Sequence, residues 1–149
     1  KASRQPQCRE DETNVALGQE AGEMGYVRAE IQLRNPRHPE LKPLQVTALV
    51  DTGALNLCIP EHVALQLQLE SGRMREISTA DGRKQTVSYV GPIEVLFQNR
   101  NCYVGALVLG DEVLLGAVPM EDMDLVISPS KEEVTVNPEN PNFPHALAK

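Results

Sequence analysis

An apolar run that ends in an acid-containing turn is the feature that most restricts how this chain can fold. The run is Leu44–Val50, and Asp51-Thr52-Gly53-Ala54 follow it directly. Its length and composition predict a buried β-strand, so Asp51 is expected at the interior end of that strand. Burying a charged carboxylate is costly unless it is neutralised, paired or hydrogen-bonded. Proteins keep such groups at functional sites, and Asp51 is therefore the candidate catalytic residue.

A second apolar motif strengthens this interpretation. Val113-Leu114-Leu115-Gly116 lies downstream, and Gly116 follows Asp51 by 65 positions. The two motifs together resemble those of the retropepsin-like, single-lobed aspartic proteases, and are most similar to the microbial cellular branch of that family. The resemblance covers about residues 27–136. In that family the second strand passes beside the catalytic turn, so Leu115 and Gly116 are predicted to support the turn, with Gly116 letting the two backbones approach.

The resemblance implies both a fold and a shared site. The implied fold is mostly β, a small closed acid-protease barrel with one or two short helices in a single lobe. A second Asp-Thr/Ser-Gly motif is missing from the 149 residues, so the chain encodes one catalytic acid. A complete site would therefore need a homodimer in which Asp51 meets its symmetry mate. The implied function is an aspartic endopeptidase that hydrolyses peptide or protein substrates without a cofactor.

The resemblance also assigns roles to the rest of the turn. Thr52 would hydrogen-bond across the two-fold axis and hold the two loops together. Gly53 would let its backbone approach the opposing carboxylate, and Ala54 would leave room for the substrate. In retroviral enzymes the next residue is usually Asp, and Arg follows the Gly of the second motif. Leu55 and Ala117 stand there instead, which predicts a more apolar support for the loop.

The segment Ala80-Asp81-Gly82 is the candidate flap tip. Strand-like runs flank it, and Asp-Gly between such runs is a hairpin signal. In the resembled family a hairpin at this place closes over the substrate. A plain surface hairpin is the alternative interpretation of the same residues.

Charge and composition exclude several classes of function. The net charge is −7 and the pI is about 5.0, which argues against nucleic acid as a partner because phosphate binding relies on Lys and Arg. No apolar run approaches the length that spans a bilayer, so a membrane partner is not expected. The three histidines are widely separated and lack metal-ligand spacing, so no metal site is expected.

The cysteine content favours a reducing compartment. Cys8, Cys58 and Cys102 do not make an even disulfide framework, and the last two lie in apolar contexts that suit packed thiols. The expected location is therefore the cytoplasm. A signal sequence that has already been removed is the alternative.

The pattern along the chain suggests three segments. Residues 1–23 are expected to be a flexible N-terminal extension or a leftover of expression, 24–137 the protease-like domain, and 138–149 an irregular tail. From residue 27 the apolar residues alternate with polar ones, as in a half-buried strand. Residues 61–70 are predicted to form a short helix, and Gly91-Pro92 and Asn99-Arg100-Asn101 are predicted turns.

Other functions fit the same motifs. The main alternative is a catalytically silent, retropepsin-like module that binds peptides or dimerises. Another is a protease domain that acts only within a larger assembly or on its own precursor. A simple turn aspartate in an ordinary β domain is the least specific interpretation of Asp51. Peptide cleavage that depends on Asp51 would separate the enzyme from the binding module.

Overall fold

A computed structural model describes residues 26–128 and 130–148, which form a mostly β domain. This part of the chain contains nine strands and two helices of six residues each. Their bounds are β1 Arg28–Arg34, β2 Leu44–Val50, β3 Leu57–Ile59, α1 Glu61–Gln66, β4 Ser71–Ser78, β5 Lys84–Phe97, β6 Arg100–Val108, β7 Leu114–Leu115, α2 Ala117–Asp122, β8 Leu125–Ser128 and β9 Glu133–Val136. The predicted segment 1–23 lies outside the described residues. Among those residues, no helix has the length and apolar character needed to cross a membrane.

Six strands close into a ring, which confirms the predicted small closed barrel. They are joined in the order β1, β2, β7, β3, β6 and β5, and β5 pairs back with β1. The pairs β2–β7 and β3–β6 are parallel, and the other ring pairs are antiparallel. β4 lies outside the ring and pairs with β5 alone. Closure removes the free strand edges of the ring, whereas β4 keeps one.

Period-two alternation places the core inside the barrel. In β1 the side chains of Ala29, Ile31 and Leu33 are buried, and their immediate neighbours are exposed or only partly buried. Ile93 and Leu115 reach the same cluster from β5 and β7 and are fully buried. The strand pattern predicted from residue 27 onward is therefore confirmed, because successive side chains of a strand face opposite sides.

Helix α1 is shorter than the sequence pattern predicts. It ends at Gln66, and Leu67 caps it by donating its N–H to Val63 O at 3.0 Å. Gln68 then takes a φ of 54°, which turns the chain into β4. Leu65, counted in the apolar pattern, is 70% exposed. The prediction of a helix over 61–70 was wrong at its C-terminal end because two of its apolar residues serve the turn and not a helix face.

The predicted turn at Gly91-Pro92 is also wrong. These residues stay within β5, where the strand changes partners: Val90 pairs with β4 and Glu94 with β1. The register against β6 shifts between Val90 and Ile93, as at a β-bulge. Gly91 has a φ of 154°, which other residues rarely adopt, so the glycine permits the bulge. The two residues therefore bend a strand and do not end it.

A buried carboxylate lies where the barrel closes. Glu94 is 4% exposed, and its Oε1 accepts bonds from Arg34 Nη2 at 2.5 Å and Arg34 Nε at 3.0 Å. Its Oε2 accepts a bond from Asn101 Nδ2 at 3.0 Å. Because the three residues belong to β1, β5 and β6, the carboxylate ties three adjacent strands together.

A buried guanidinium holds the C-terminal part of the described chain. Arg100, predicted to be in a turn, opens β6 and is 2% exposed. It donates to the backbone oxygens of Met123, at 2.9 Å, and Asn140. Asp124 Oδ2 lies 4.0 Å from Arg100 Nη1 and accepts bonds from Asn140 Nδ2 and the His145 N–H. Residues 137–148 contain no helix or strand, yet these bonds attach them to the barrel.

We expect Glu94→Ala to lower the free energy of unfolding by about 1–3 kcal/mol, because Arg34 and Asn101 lose a charged acceptor. Urea denaturation would measure the change. Glu76→Ala is the matched control, since Glu76 is exposed on β4, and it should stay within about 0.5 kcal/mol of the wild type. Equal effects of the two substitutions would contradict a closing role for Glu94.

Candidate active site

Asp51 lies on the surface of the single chain. Val50, the last residue of β2, is 9% exposed, but Asp51 is exposed. The expectation that Asp51 ends in the interior is therefore wrong for one chain. The strand leaves the sheet at this point: the Asp51 N–H donates to Leu115 O at 3.1 Å, and the chain then turns outward. The carboxylate is presented at one end of the barrel.

Two local hydrogen bonds shape the turn after Asp51. Asp51 Oδ1 accepts the Gly53 N–H at 2.9 Å, and Asp51 O accepts the Ala54 N–H at 3.1 Å. An aspartate that caps its own turn in this way is oriented by the backbone. Thr52 and Gly53 are exposed, and Ala54 is partly buried. The turn residues predicted from the sequence therefore lie together around one ordered carboxylate.

Gly116 packs directly against this turn. The Ala117 N–H donates to Ala54 O at 2.8 Å, and the Val118 N–H donates to Leu55 O at 2.9 Å. A Cβ on Gly116 would lie 2.8 Å from Ala54 O and 2.8 Å from Leu55 C. Such distances are too short for real Cβ atoms, so the backbones can approach this closely only with glycine. The structure thus brings the second motif beside the first.

Two exposed apolar side chains flank the turn. Leu55 is 64% exposed and Val118 is 39% exposed, and the bond from the Val118 N–H to Leu55 O links their backbones. Leu55 stands where the retroviral signature has Asp, and Ala117, beside Val118, stands where it has Arg. The residues at these two positions are thus apolar, as the sequence shows, but in a single chain Leu55 is exposed and does not pack against the loop as a buried support.

The two cysteines of the described chain, Cys58 and Cys102, are buried. Cys58 on β3 is buried, and burial, then the nearby charge of Asp51, raises its pKa. Burial raises the pKa of Cys102 to about 12. Both thiols are therefore neutral near pH 7, which disfavours a nucleophilic role.

The predicted flap tip is a hairpin turn between β4 and β5. Thr79 and Arg83 close the turn through the Thr79 N–H and Arg83 O at 2.8 Å. Gly82 has a φ of 86°, and its N–H donates to Thr79 O at 2.9 Å. Asp81 accepts a bond from the Thr79 hydroxyl, and Arg83 Nε donates to Asp81 Oδ2 at 2.8 Å. Ala80, Asp81 and Gly82 therefore form an exposed tip that side chains hold in shape.

A small apolar cluster, which the sequence pattern did not predict, joins the hairpin to the barrel. Val87 from β5 packs with Cys58 from β3 and Leu107 from β6, and Ile77 and Leu114 lie against them. Leu114 precedes Leu115, whose O accepts the Asp51 N–H. The cluster thus lies between the hairpin and the strand that supports the candidate catalytic turn. The alternation of Ile77 and Val87 with polar neighbours was the available sequence signal.

Within residues 26–128 and 130–148 no group of three or more His, Cys, Asp or Glu side chains could hold a metal ion. His38 instead lies beside Glu40, with 3.2 Å between Nδ1 and Oε2.

Comparison with known proteins points to one family. The family model described as "gag-polyprotein putative aspartyl protease" matches residues 41–122. These residues include both motifs and the whole hairpin. Among solved structures, the solution structure of the simian foamy virus (mac) protease is similar, with 21% sequence identity and a TM-score of 0.42. That match covers 64% of this chain and 91% of the viral one. No curated protein sequence matches the chain.

We expect Gly116→Ala to destabilise the protein by about 1–3 kcal/mol, the usual cost of overpacking, because the new methyl group would displace the turn. Thermal melting would measure the loss. Gly72→Ala is the matched control, since nothing lies within 4 Å of a Cβ there. A Gly116→Ala protein as stable as the Gly72→Ala protein would contradict the close contact.

The candidate flap tip should be sensitive to acid. The Thr79 hydroxyl, then the backbone and side chain of Arg83, lower the pKa of Asp81. A carboxylate with a lowered pKa stabilises the folded tip above its unfolded pKa, and the effect is lost as the pH falls through the folded pKa. In an NMR titration we therefore expect Asp81 to titrate below the ordinary aspartate range, and Thr79→Val to raise its pKa. An unchanged titration in Thr79→Val would rule out this cause.

Proposed function

The chain belongs to the gag-polyprotein aspartyl protease family, a retropepsin-like family, and from this premise we propose that it is an aspartic endopeptidase. We propose further that the active form is a homodimer with Asp51 of each copy in one shared site. The single observation that supports this most strongly is the position of Asp51: an ordered carboxylate, exposed at one end of a closed barrel.

The chemistry needs two carboxyl groups close together. The charged group takes a proton from water, and the neutral group supports the carbonyl oxygen of the scissile peptide bond. Like charges at such short range cannot both ionise, so the pair shares a proton; the dyad of aspartic proteases is the best-known example of this effect. These 149 residues supply a single acid of this kind, Asp51, and we propose that the second comes from another copy.

The surface around Asp51 suits a two-fold interface. An isologous contact would place the same residues of both copies against each other. Thr52 and Gly53 are exposed beside the carboxylate, and the apolar side chains of Leu55 and Val118 are exposed next to them. A second copy seated on this end would cover the apolar side chains and bring the two turns together. The burial expected for Asp51 would then come from the partner.

The hairpin completes the proposed site. Because β4 pairs only with β5, the hairpin can move without opening the barrel ring. The apolar cluster around Val87 anchors its base near the Asp51 support strand, while its tip at Ala80, Asp81 and Gly82 stays exposed. Closure of such an element over a peptide would exclude water and hold the substrate extended.

We expect Asp51→Asn to lower peptide cleavage by at least about 10²–10⁴-fold, the usual contribution of a general acid–base group, without changing the thermal melt. The assay would follow a broad library of quenched fluorescent peptides from acid to neutral pH. Asp122→Asn, an exposed aspartate at the end of α2, is the matched control and should keep full activity. Cleavage by the Asp51→Asn protein at the wild-type rate would overturn the mechanism.

Mixing wild-type chains with mutant chains tests whether two copies share one active site. Excess Asp51→Asn chains should inhibit the wild type by forming mixed dimers, whereas excess Asp122→Asn chains should not. Specific activity should also rise with protein concentration near the dimer dissociation constant. Constant specific activity at concentrations where sedimentation shows monomer would contradict the dimer. If neither Asp51 form cleaves but both bind peptides, the silent binding module is the function.

A further inference from the structure

A groove begins beside the candidate catalytic turn and extends along one face of β4, β5 and β6. It consists of two adjoining depressions of about 490 and 260 Å³, which share Tyr89, Tyr103, Val104 and Gly105. We call it the tyrosine groove. The smaller depression ends at Asn56 and Val118, which flank the turn after Asp51. The larger one is also lined by Arg37, Glu70 and Arg73, and Arg73 lies near the base of the hairpin. The groove therefore leads outward from the proposed site of cleavage.

Tyr89 forms the floor at the centre of the groove. Its ring lies over Gly105 so closely that a Cβ at position 105 would collide with the ring and the hydroxyl group. Gly105 therefore makes room for the tyrosine ring on the sheet. Leu107 pairs directly with Tyr89 and lies in the apolar cluster beside the turn. Directly paired residues of adjacent strands share one face, so the cluster and the groove are parts of one continuous surface.

Two arginines lie beside Tyr89: Arg73 lines the larger depression, and Arg75 stacks on the tyrosine ring. Arg73 pairs directly with Tyr89 across β4 and β5 and so shares its face. The guanidinium carbon of Arg75 lies 3.9 Å from the centre of the Tyr89 ring. A guanidinium stacked on an aromatic ring loses part of its freedom but keeps its N–H groups available to accepting groups. The ring thus orders one arginine beside the other.

The charges of these arginines are not balanced by carboxylates in the described part of the chain. Among residues 26–128 and 130–148, neither Arg73 nor Arg75 has a carboxylate oxygen within 4.0 Å. By contrast, Arg83 at the hairpin tip is paired with Asp81, and Arg37, on the rim of the groove, is paired with Glu70 at 3.7 Å. In a chain of net charge −7, two adjacent unbalanced arginines form a local basic site.

We propose that the tyrosine groove binds an acidic segment of the peptide substrate, with Arg73 and Arg75 pairing with Asp or Glu side chains. The proposal rests on the proposed protease function, because the groove begins at the candidate catalytic turn. Guanidinium groups pair with carboxylates through two parallel hydrogen bonds, which suits recognition of Asp and Glu. The acidic residues of the substrate would not flank the scissile bond directly. They would lie farther along the peptide, in the part that passes the base of the hairpin.

Binding is tested apart from cleavage in the full chain carrying Asp51→Asn. The probes are a fluorescein-labelled peptide of alternating Glu and Ala and a twin with Gln in place of Glu. Alternation puts every Glu on one face of an extended peptide. Fluorescence anisotropy should show tighter binding of the Glu peptide, and the preference should fall with added salt.

The arginine variants identify the site. Each exposed arginine–carboxylate pair contributes up to about fivefold in affinity, and the two factors multiply. Arg73→Gln with Arg75→Gln should therefore weaken binding of the Glu peptide by up to about 25-fold and leave the Gln peptide unchanged. Arg83→Gln is the matched control, because it removes one charge from the same hairpin but outside the groove. Arg75→Lys should lose part of the affinity while keeping the charge. Thermal melts check that each variant is folded.

Equal binding of the Glu and Gln peptides, or an equal loss in Arg83→Gln, would overturn the proposal. A cleavage assay with the wild-type active site separates this failure from failure of the protease function. Cleavage without any gain from a Glu–Ala extension of the substrate would reject the groove alone. Arginine-dependent binding without cleavage of any peptide would support the groove as an acidic-peptide site and reject the endopeptidase.

Discussion

The close backbone contact between residues 51–56 and 115–118 is the interaction on which the rest of the structure depends. Leu115 accepts the Asp51 N–H, and the N–H groups of Ala117 and Val118 donate to the turn. The contact exists because Gly116 has no Cβ to separate the two segments. Leu115 belongs to the short strand β7, which pairs with β2 and β3 and so completes the ring. These bonds tie the backbone of the turn to a strand of the ring, so the barrel positions the residue that carries the carboxylate.

The hairpin of β4 and β5 has the opposite character. β4 lies outside the ring and pairs only with β5, and residues 84–88 of β5 pair only with β4. Most β4 side chains are exposed. The base of the hairpin is held by the apolar cluster and by the stacking of Arg75 on Tyr89. Its tip is held by hydrogen bonds to Asp81, whose charge depends on pH. A rigid turn below a more weakly attached hairpin is an arrangement that allows a substrate to enter and then be covered.

The surface around Asp51 exposes both a carboxylate and apolar side chains. A carboxylate ordered by a backbone N–H is exposed there, together with two apolar side chains. In retroviral enzymes the loop is usually supported by a pair of opposite charges, whereas Leu55 and Ala117 need no partner charge. Apolar side chains such as Leu55 stabilise a loop most when they are buried, and a contact between two copies would bury them on both sides. The proposed dimer therefore explains in one step why the acid, the turn and Leu55 are exposed in a single chain.

Local patterns in the sequence determined much of this protein. The alternation from residue 27 predicted β1, the Asp81-Gly82 pair predicted the hairpin, and the two motifs predicted the family and the closed barrel. The sequence did not predict the burial of Glu94 and Arg100, the bulge at Gly91-Pro92, the exposure of Asp51 or the tyrosine groove. These features depend on which distant strands become neighbours. Glu94, for example, lies in the part of β5 that pairs with β1, beyond the part that pairs with β4. Strand period and turn chemistry act between neighbours in sequence, whereas burial and pairing of charges arise only when the closed ring brings distant residues together.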